Sequence, residues 1–445
     1  VSIFNALYRL LRVLLGAIAC TTLFMYSPHA GANTLAAWSQ YGDRGEVEAR
    51  LVTEESACPD LIADGRPVSM TERASPSPAF PVRICVAAIP VGTKRLTGGG
   101  IDLPVPVRHP RHIVVFGDTG CRLKGAVVQA CNDPTAWPFH AIAERAAQAR
   151  PDLMIHLGDY LYRESPCPAG DNRCTGTPWG DNWATWNADF FAPATPLLHR
   201  TVWLMARGNH EECSRAGSGF TELLGHDLRP TACNPHESPL LVDLDGVKLA
   251  LLDDNAALDK EIAPEVADVL RRDIAAALTA KADWLVTHHP FRGISKPELN
   301  GEPRVMEGAN ATLLAALSGA DESRLTLMLA GHIHNFQIEN YRGAAAPQLV
   351  VGEGGDALDK EVPRQLAGLV SGGETVATGL SLPGFGYVVL DRNRRTQDWN
   401  ITVHAADGSV LRHCALASRR LGCEIASRTR SHDPASVSMV NSPVR

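Results

Sequence analysis

The stretch HIVVFGDTG, His112 to Gly120, is an apolar run that ends in Gly117-Asp118, and LMIHLGDYLY, Leu153 to Tyr162, repeats the arrangement with Gly158-Asp159. Short apolar runs bounded by turn-forming residues read as buried strands. Between them, Pro134 to Arg150 reads as an Ala-rich helix stopped by Pro151. Val202-Trp203-Leu204-Met205 is a third strand, and it runs into Arg207-Gly208-Asn209-His210. Leu249–Leu252, Trp284–Thr287 and Leu325–Leu329 continue the series, with a helix predicted across Ala263–Leu278. Alternation of this kind implies a layered α/β core. Ligands of open α/β sheets bind outside the C-terminal ends of the strands, which is where the polar clusters of this chain fall.

Working outward from that core, the chain has 445 residues, enough for two or three domains. Hydrophobic residues at 45% and charged residues at 20% exclude disorder throughout, collagen-like repetition and a multi-span membrane protein. The formal charge of −7 argues against a polymeric nucleic-acid partner. Residues 33–110 hold short apolar stretches among Pro and Gly and read as a small N-terminal β-rich region, with Gly98-Gly99-Gly100 and Pro104, Pro106 and Pro110 as a linker. Residues 111–405 read as the main α/β domain, and 406–445 as a C-terminal disulfide hairpin with a polar tail.

Residues 1–32 contain no Asp or Glu. Arg9 and Arg12 precede an apolar run from Val13 to Met25, followed by small residues at Ala30 and Ala32. This pattern reads as a secretory signal peptide, too short and broken for a spanning helix, with an uncleaved anchor as the alternative. A periplasmic or secreted destination follows, without a membrane span in the mature chain. The cysteines agree: of 11, Cys20 lies in the segment expected to be removed. The even remainder suggests disulfides in an exported chain. Local grouping suggests 58–85, 121–131, 167–174, 213–233 and 414–423; free thiols are the alternative, and the absence of Cys-x-x-Cys argues against a zinc cluster.

Five polar clusters terminate the apolar segments: Gly117-Asp118-Thr119-Gly120, Gly158-Asp159-Tyr160-Leu161-Tyr162, Gly208-Asn209-His210-Glu211, Val286-Thr287-His288-His289 and Gly331-His332-Ile333-His334. Carboxylates, an amide oxygen, a phenol and several imidazoles make a donor set suited to a pair of borderline-to-hard metal ions. Asp253-Asp254-Asn255 reads as a turn after its strand, and His156 as a core histidine.

With those motifs the sequence resembles the calcineurin-like metallophosphoesterase superfamily, and within it the purple acid phosphatases. The motifs occur in the family's order over residues 117–334. The resemblance implies an α/β/β/α sandwich with a first metal held by Asp118, Asp159, Tyr162 and His334. It implies a second held by Asp159, Asn209, His288 and His332, with Asp159 bridging. Many relatives carry Asp-x-His in the first motif; here Thr119-Gly120 follows Asp118, and Tyr162 takes the place of that histidine. A hard phenolate favours Fe(III) in its site, with Zn, Mn or Fe(II) in the other. His288 fits the family spacing before proline better than His289, although a literal Val-x-x-His match selects His289. His210 is the expected general acid or phosphate-positioning group, with His289, Arg207 and Arg215 as candidate substrate contacts.

The activity so implied is hydrolysis of phosphomonoesters by attack of metal-bound hydroxide, without a phosphoenzyme. The alternatives are a phosphodiesterase acting on cyclic nucleotides or lipid headgroup diesters, and a non-catalytic binding protein on the same fold.

Overall fold

The computed structural model describes residues 33–227, 233–244, 246–295, 298–299, 302–303, 306–359 and 361–425. The expected signal peptide and the polar tail from residue 426 lie outside them. The first three apolar segments form neighbouring parallel strands: His112–Phe116 pairs with Leu153–His156, which pairs with Val202–Met205. Parallel pairing needs a crossover, and the helix Phe139–Gln148 lies in the first. Its buried residues Phe139, Ile142, Ala143 and Ala146 follow the i, i+3, i+4, i+7 pattern of an amphipathic face. The helix starts five residues later than its sequence suggests. Pro138 disfavours a helical conformation at Trp137 before it, and the chain turns on Asp133 O, which accepts from Ala136 N and Trp137 N, before the helix begins.

These strands are the centre of an eleven-stranded sheet. On one side Gly386–Arg392 pairs antiparallel with His112–Phe116, and Trp399–Ala405 leads to the hairpin of Val410–Ala417 and Arg420–Ile425, which carries the Cys414–Cys423 disulfide. On the other side the N-terminal strand Thr34–Tyr41 lies along Val202–Met205 and leads to Val47–Thr53, Arg83–Ala88 and Thr71–Ala74. Most of the N-terminal region therefore extends the main sheet. A four-stranded sheet of Arg66–Val68, Leu61–Ala63, Leu96–Gly98 and Ile101–Leu103 completes that region. The Gly98–Gly100 run is a hairpin turn within it and not a linker, because Gly99 and Gly100 supply the positive φ values the reversal needs.

The second sheet has eight strands, in the order Leu240–Asp243, Lys248–Leu251, Trp284–Val286, Leu327–Ala330, Gln348–Val351, Phe336–Tyr341, Glu374–Leu382 and Val370–Ser371. Its side chains sort by the two-residue period of a strand. Leu249, Leu251, Trp284, Val286, Leu327 and Leu329 pack into the core shared with the first sheet. Ala250, Leu285 and Met328 face the opposite way, onto the helices Pro264–Thr279 and Ala311–Leu317. Trp284 and Trp399 meet across the sheets with ring centroids 5.0 Å apart. The order of layers is helix, sheet, sheet, helix.

Five disulfides join Cys58–Cys85, Cys121–Cys131, Cys167–Cys174, Cys213–Cys233 and Cys414–Cys423. Among the described residues no helix is long and apolar enough to cross a membrane.

Candidate metal centre

Each polar cluster follows the C-terminal end of its strand, and the two sheets bring their clusters to the same edge of the sandwich. The backbone there is bent into an unusual conformation. Asp118, Asp159 and His332 have φ of 58°, 59° and 66°, in the left-handed region that side-chain-bearing residues rarely occupy. Such local strain persists only where the surroundings hold it, and it concentrates at functional sites. Glu211 is one such support: its carboxylate accepts from Gly208 N, Asp159 N, Tyr160 N and Leu161 N at 2.8–3.1 Å. It thereby ties the second motif to the third. Glycine is required at the contact, since a Cβ on Gly158 would lie 2.7 Å from His288 Nδ1 and one on Gly208 would overlap the Asp159 carboxylate.

Two groups of donor atoms converge. Tyr162 OH lies 3.0 Å from Asp118 Oδ1, 2.7 Å from Asp159 Oδ2 and 3.0 Å from His334 Nε2, and His334 Nε2 is 3.2 Å from Asp118 Oδ1. On the other side His288 Nε2 lies 3.0 Å from Asn209 Oδ1, 3.3 Å from Asp159 Oδ2 and 3.3 Å from His332 Nδ1. Asp159 Oδ2 belongs to both groups. Metal–ligand bonds of ~2.0–2.2 Å give ligand–ligand edges of roughly 2.8–3.5 Å in octahedral or tetrahedral sites, so the spacing fits an ion within each group.

The outer nitrogens of the rings are fixed as a metal ligand requires. His288 Nδ1 donates to Leu157 O at 2.8 Å and His334 Nδ1 to Ala357 O at 2.7 Å, which leaves both Nε2 lone pairs pointing inward. His332 is reversed, with Nε2 3.1 Å from Asp259 Oδ2 and Nδ1 inward. The electrostatics also call for cations. Burial lowers the pKa of His288, yet Asp159, Asp118 and Asp254 outweigh it and hold the ring up at about 10. Burial likewise opposes the charge on His334, while Asp356 and Asp118 raise it to about 9. Carboxylates that hold protons so firmly on imidazoles at neutral pH are a strong field for metal cations that would replace those protons.

All seven candidate ligands, Asp118, Asp159, Tyr162, Asn209, His288, His332 and His334, thus come together. His289 also lies near the second group: one ring nitrogen each from His288, His289 and His332 fall within 4.8 Å of one another. Asp254 Oδ2 holds its backbone N and its Nδ1 at 2.8 and 2.9 Å, and the ring packs on His332 with centroids 4.3 Å apart, outside the cavity at the site. Its reading as a substrate contact stays a proposal, with Asp254 fixing the ring beside the second group. The same reading of Arg207 is corrected. It is buried, donates to Glu211 O and Asn234 O, and faces Asp253 at 3.4 Å, so its charge is already satisfied away from the cavity. Arg215 does line the cavity, where its guanidinium pairs with Glu164.

The cavity over the donors measures about 520 Å³. His210 forms part of its wall, with its ring centroid 3.9 Å from that of Tyr162 and its Nδ1 2.8 Å from Glu164 Oε1. Arg122 and Lys124 add positive charge to the rim. Arg122 pairs with Asp356 and lies over the Tyr162 ring, 4.9 Å from its centroid. Sequence reasoning missed Arg122, Lys124, Glu164 and Asp356, and assigned Asp254 only to a turn. Asp254 also receives His288 N at 2.8 Å, so it braces both histidines of the fourth cluster. The double carboxylate after a buried strand was the available signal. His156 is a core histidine as expected, buried and 3.0 Å from Thr119 Oγ1.

Residues 111–336 match the family model of the calcineurin-like phosphoesterases. No curated protein matches the chain. Among solved structures, a purple acid phosphatase from yellow lupin (Lupinus luteus) seeds superposes with a TM-score of 0.52 at 15% identity, over 85% of this chain and 73% of that one. PhoD superposes with a TM-score of 0.55 at 11% identity, over 89% and 92% of the two chains. At these identities the likeness is one of fold.

Proposed function

The chain belongs to the calcineurin-like phosphoesterase family and is a hydrolase of phosphoric esters; from that premise we propose that it is an exported phosphomonoesterase of the purple acid type. The family implies a binuclear metal centre. We assign Asp118, Asp159, Tyr162 and His334 to one ion, and Asp159, Asn209, His288 and His332 to the other. The observation that carries this reading is Tyr162 OH within 3.0 Å of Asp118, Asp159 and His334. A phenolate there suits Fe(III), with Zn, Mn or Fe(II) beside it.

When bound, the ions supply Lewis acidity toward the phosphoryl oxygens and toward water. The chain's own residues do the rest. Arg122, Lys124 and Arg215 offer positive charge to the phosphate oxygens at the cavity wall. His210 presents Nε2 to the cavity and delivers a proton to the departing alkoxide, while Glu164 on Nδ1 fixes its orientation. Arg215 pairs with that same Glu164 and donates to Asn209 O at 3.0 Å, which ties the acid to a metal ligand. Export is supported by five disulfides, a feature of oxidising compartments. We read residues 111–405 as the catalytic domain, with the preceding and following strands completing its sheet.

The test is metal analysis with a visible absorption spectrum, followed by assay of 4-nitrophenyl phosphate against bis(4-nitrophenyl) phosphate. Two metals per chain including iron, a broad visible band lost in Tyr162→Phe, and faster monoester turnover are expected. Two metals without the band would remove the purple assignment, and faster diester turnover would move the enzyme to the phosphodiesterases. Absence of turnover by a fully metallated sample would leave a binding protein on the same fold.

A further inference from the structure

Asp189 lies outside every strand-ending motif, yet it is fully buried and accepts hydrogen bonds from two of the loops that carry metal donors. Its Oδ1 takes Cys121 N at 3.1 Å, three residues past Asp118. Its Oδ2 takes Tyr162 N at 2.9 Å and Arg163 N at 3.2 Å. Arg163 Nε donates to Oδ1 at 2.6 Å, and the guanidinium lies over the Trp137 ring, 4.9 Å from its centroid. Trp137 Nε1 in turn donates to Thr119 O at 2.8 Å, beside Asp118. One carboxylate therefore reaches the Asp118 loop by two routes and the Tyr162 backbone directly. Among the described residues none of its hydrogen bonds goes to Asn209, His288 or His332.

The helix that delivers this carboxylate is irregular at the place where it does so. Trp183–Trp186, Asn187–Phe191 and Ala192–Leu198 follow one another without a break, and the middle segment is a π turn in which Ala192 N donates to Asn187 O, five residues back. Pro193 has no N–H to offer Asp189 O four residues before it, so the ordinary α-helical bond is missing there. The next two residues anchor the turn in the core. Phe190 packs edge-on against Tyr160 and Phe191 against Trp38, each with ring centroids 4.9 Å apart. Single π turns inside helices recur at functional sites. Hydrogen bonds to an ionised carboxylate are roughly twice as strong as neutral ones, so the loops held by Asp189 are held firmly.

We propose that Asp189 is the positioning residue of the tyrosine-bearing metal site: it sets Tyr162 and the Asp118 loop for the first ion, and leaves the second ion to the Asp254 brace. The proposal rests on the ligand assignment made above. An amide at this position offers one oxygen, so either Cys121 N or Tyr162 N would lose its acceptor and face an NH2 group.

The experiment reads the order in which the ions leave. Protein reconstituted with iron and zinc is titrated with EDTA, and the iron and zinc retained per chain are measured alongside the visible band. Tyr162→Phe serves as the reference for the first site and Asp254→Asn for the second. Asp189→Asn is expected to lose iron and the band at roughly 10- to 100-fold lower chelator, the range for outer partners of metal ligands, and to release zinc as wild type does. Zinc retained at wild-type chelator concentrations reports that the variant folds. Because Asp189→Asn leaves Arg163 buried and uncompensated, Asp189→Asn/Arg163→Gln is measured beside it; removing both members of a buried pair is tolerated far better, and the same selective loss of iron is expected. Joint loss of both metals in both variants, or retention equal to wild type, would overturn the proposal and leave Asp189 a structural residue. If Tyr162→Phe itself holds iron as firmly as wild type, the ligand assignment falls and the proposal with it. A sensitive Tyr162→Phe beside insensitive Asp189 variants overturns the proposal alone.

Discussion

Glu164 shows how much a single residue outside the recognised motifs can contribute. It lies two residues past Tyr162, pairs with Arg215 and Lys124, and sets one nitrogen of His210. Because it acts through His210, its loss should cost more when the leaving alkoxide needs a proton. Glu164→Gln is expected to lower kcat by roughly 10- to 100-fold for an alkyl phosphate and much less for 4-nitrophenyl phosphate, part of the roughly 10²–10⁴-fold that general acid catalysis supplies. The measurement is the ratio of the two rates; an equal loss on both would reassign Glu164 to a structural role. Asp254 makes a different prediction, since it holds His288 and His289 and touches no donor group directly. Outer partners of metal ligands typically contribute 10–100-fold in affinity, so Asp254→Asn should lose metal to a chelator at about that much lower concentration. Unchanged retention would show that the backbone alone fixes His288.

Elements carry their own pH dependence. Glu339, on the Phe336–Tyr341 strand, is fully buried and accepts from Tyr341 OH at 2.6 Å. Burial pushes its carboxyl up to about 7, against the opposing pull of the Tyr341 hydrogen bond and Arg292. A carboxyl whose pKa is raised on folding binds its proton more tightly in the native state, so stability falls as pH rises from the unfolded value near 4.5 through about 7. Glu339→Gln mimics the protonated form. It should match wild type near pH 4.5 and exceed it by up to about 3 kcal/mol at pH 8, a figure set by the size of the shift. Thermal melts at the two pH values decide it; a difference independent of pH would mean that Glu339 does not titrate in that window. The same scale explains which strands were readable. His112–Phe116, Leu153–His156 and Val202–Met205 are short apolar runs closed by glycine, and that pattern is local. The late start of the Phe139–Gln148 helix was missed because a run of alanines outweighed the two prolines before it.

At the scale of the molecule, the N-terminal strands are joined to the catalytic core by buried charge. Arg50 is inaccessible to solvent, pairs with Glu48, and donates to Leu223 O and Gly225 O after the Gly217–Leu223 helix. Arg73 donates to Thr221 O and Gly225 O from Thr71–Ala74, two strands along the same sheet. Removing one member of a buried charged pair typically costs ~3–5 kcal/mol, because the partner is left uncompensated. Arg50→Ala should therefore lower the melting temperature by several degrees, and removal of residues 33–107 should prevent folding of the remainder. A truncated chain that folds and binds metal would show that the N-terminal strands are an accessory.

The sequence by itself determined the strand-ending motifs and suggested the local cysteine pairings, because each is written in neighbours along the chain, while the donor set came with the family resemblance and left His288 and His289 as alternatives. A polar residue after a buried strand must emerge at a sheet end, wherever the sheet lies. Only the tertiary structure decided that the N-terminal strands belong to the main sheet. It also decided that Arg207 turns inward while Arg122 and Lys124 face the cavity, and that Asp254 and Glu164 brace histidines distant in sequence. Those outcomes depend on which surfaces meet when two sheets close over a common core, and side-chain charge is satisfied by whichever partner that closure brings near.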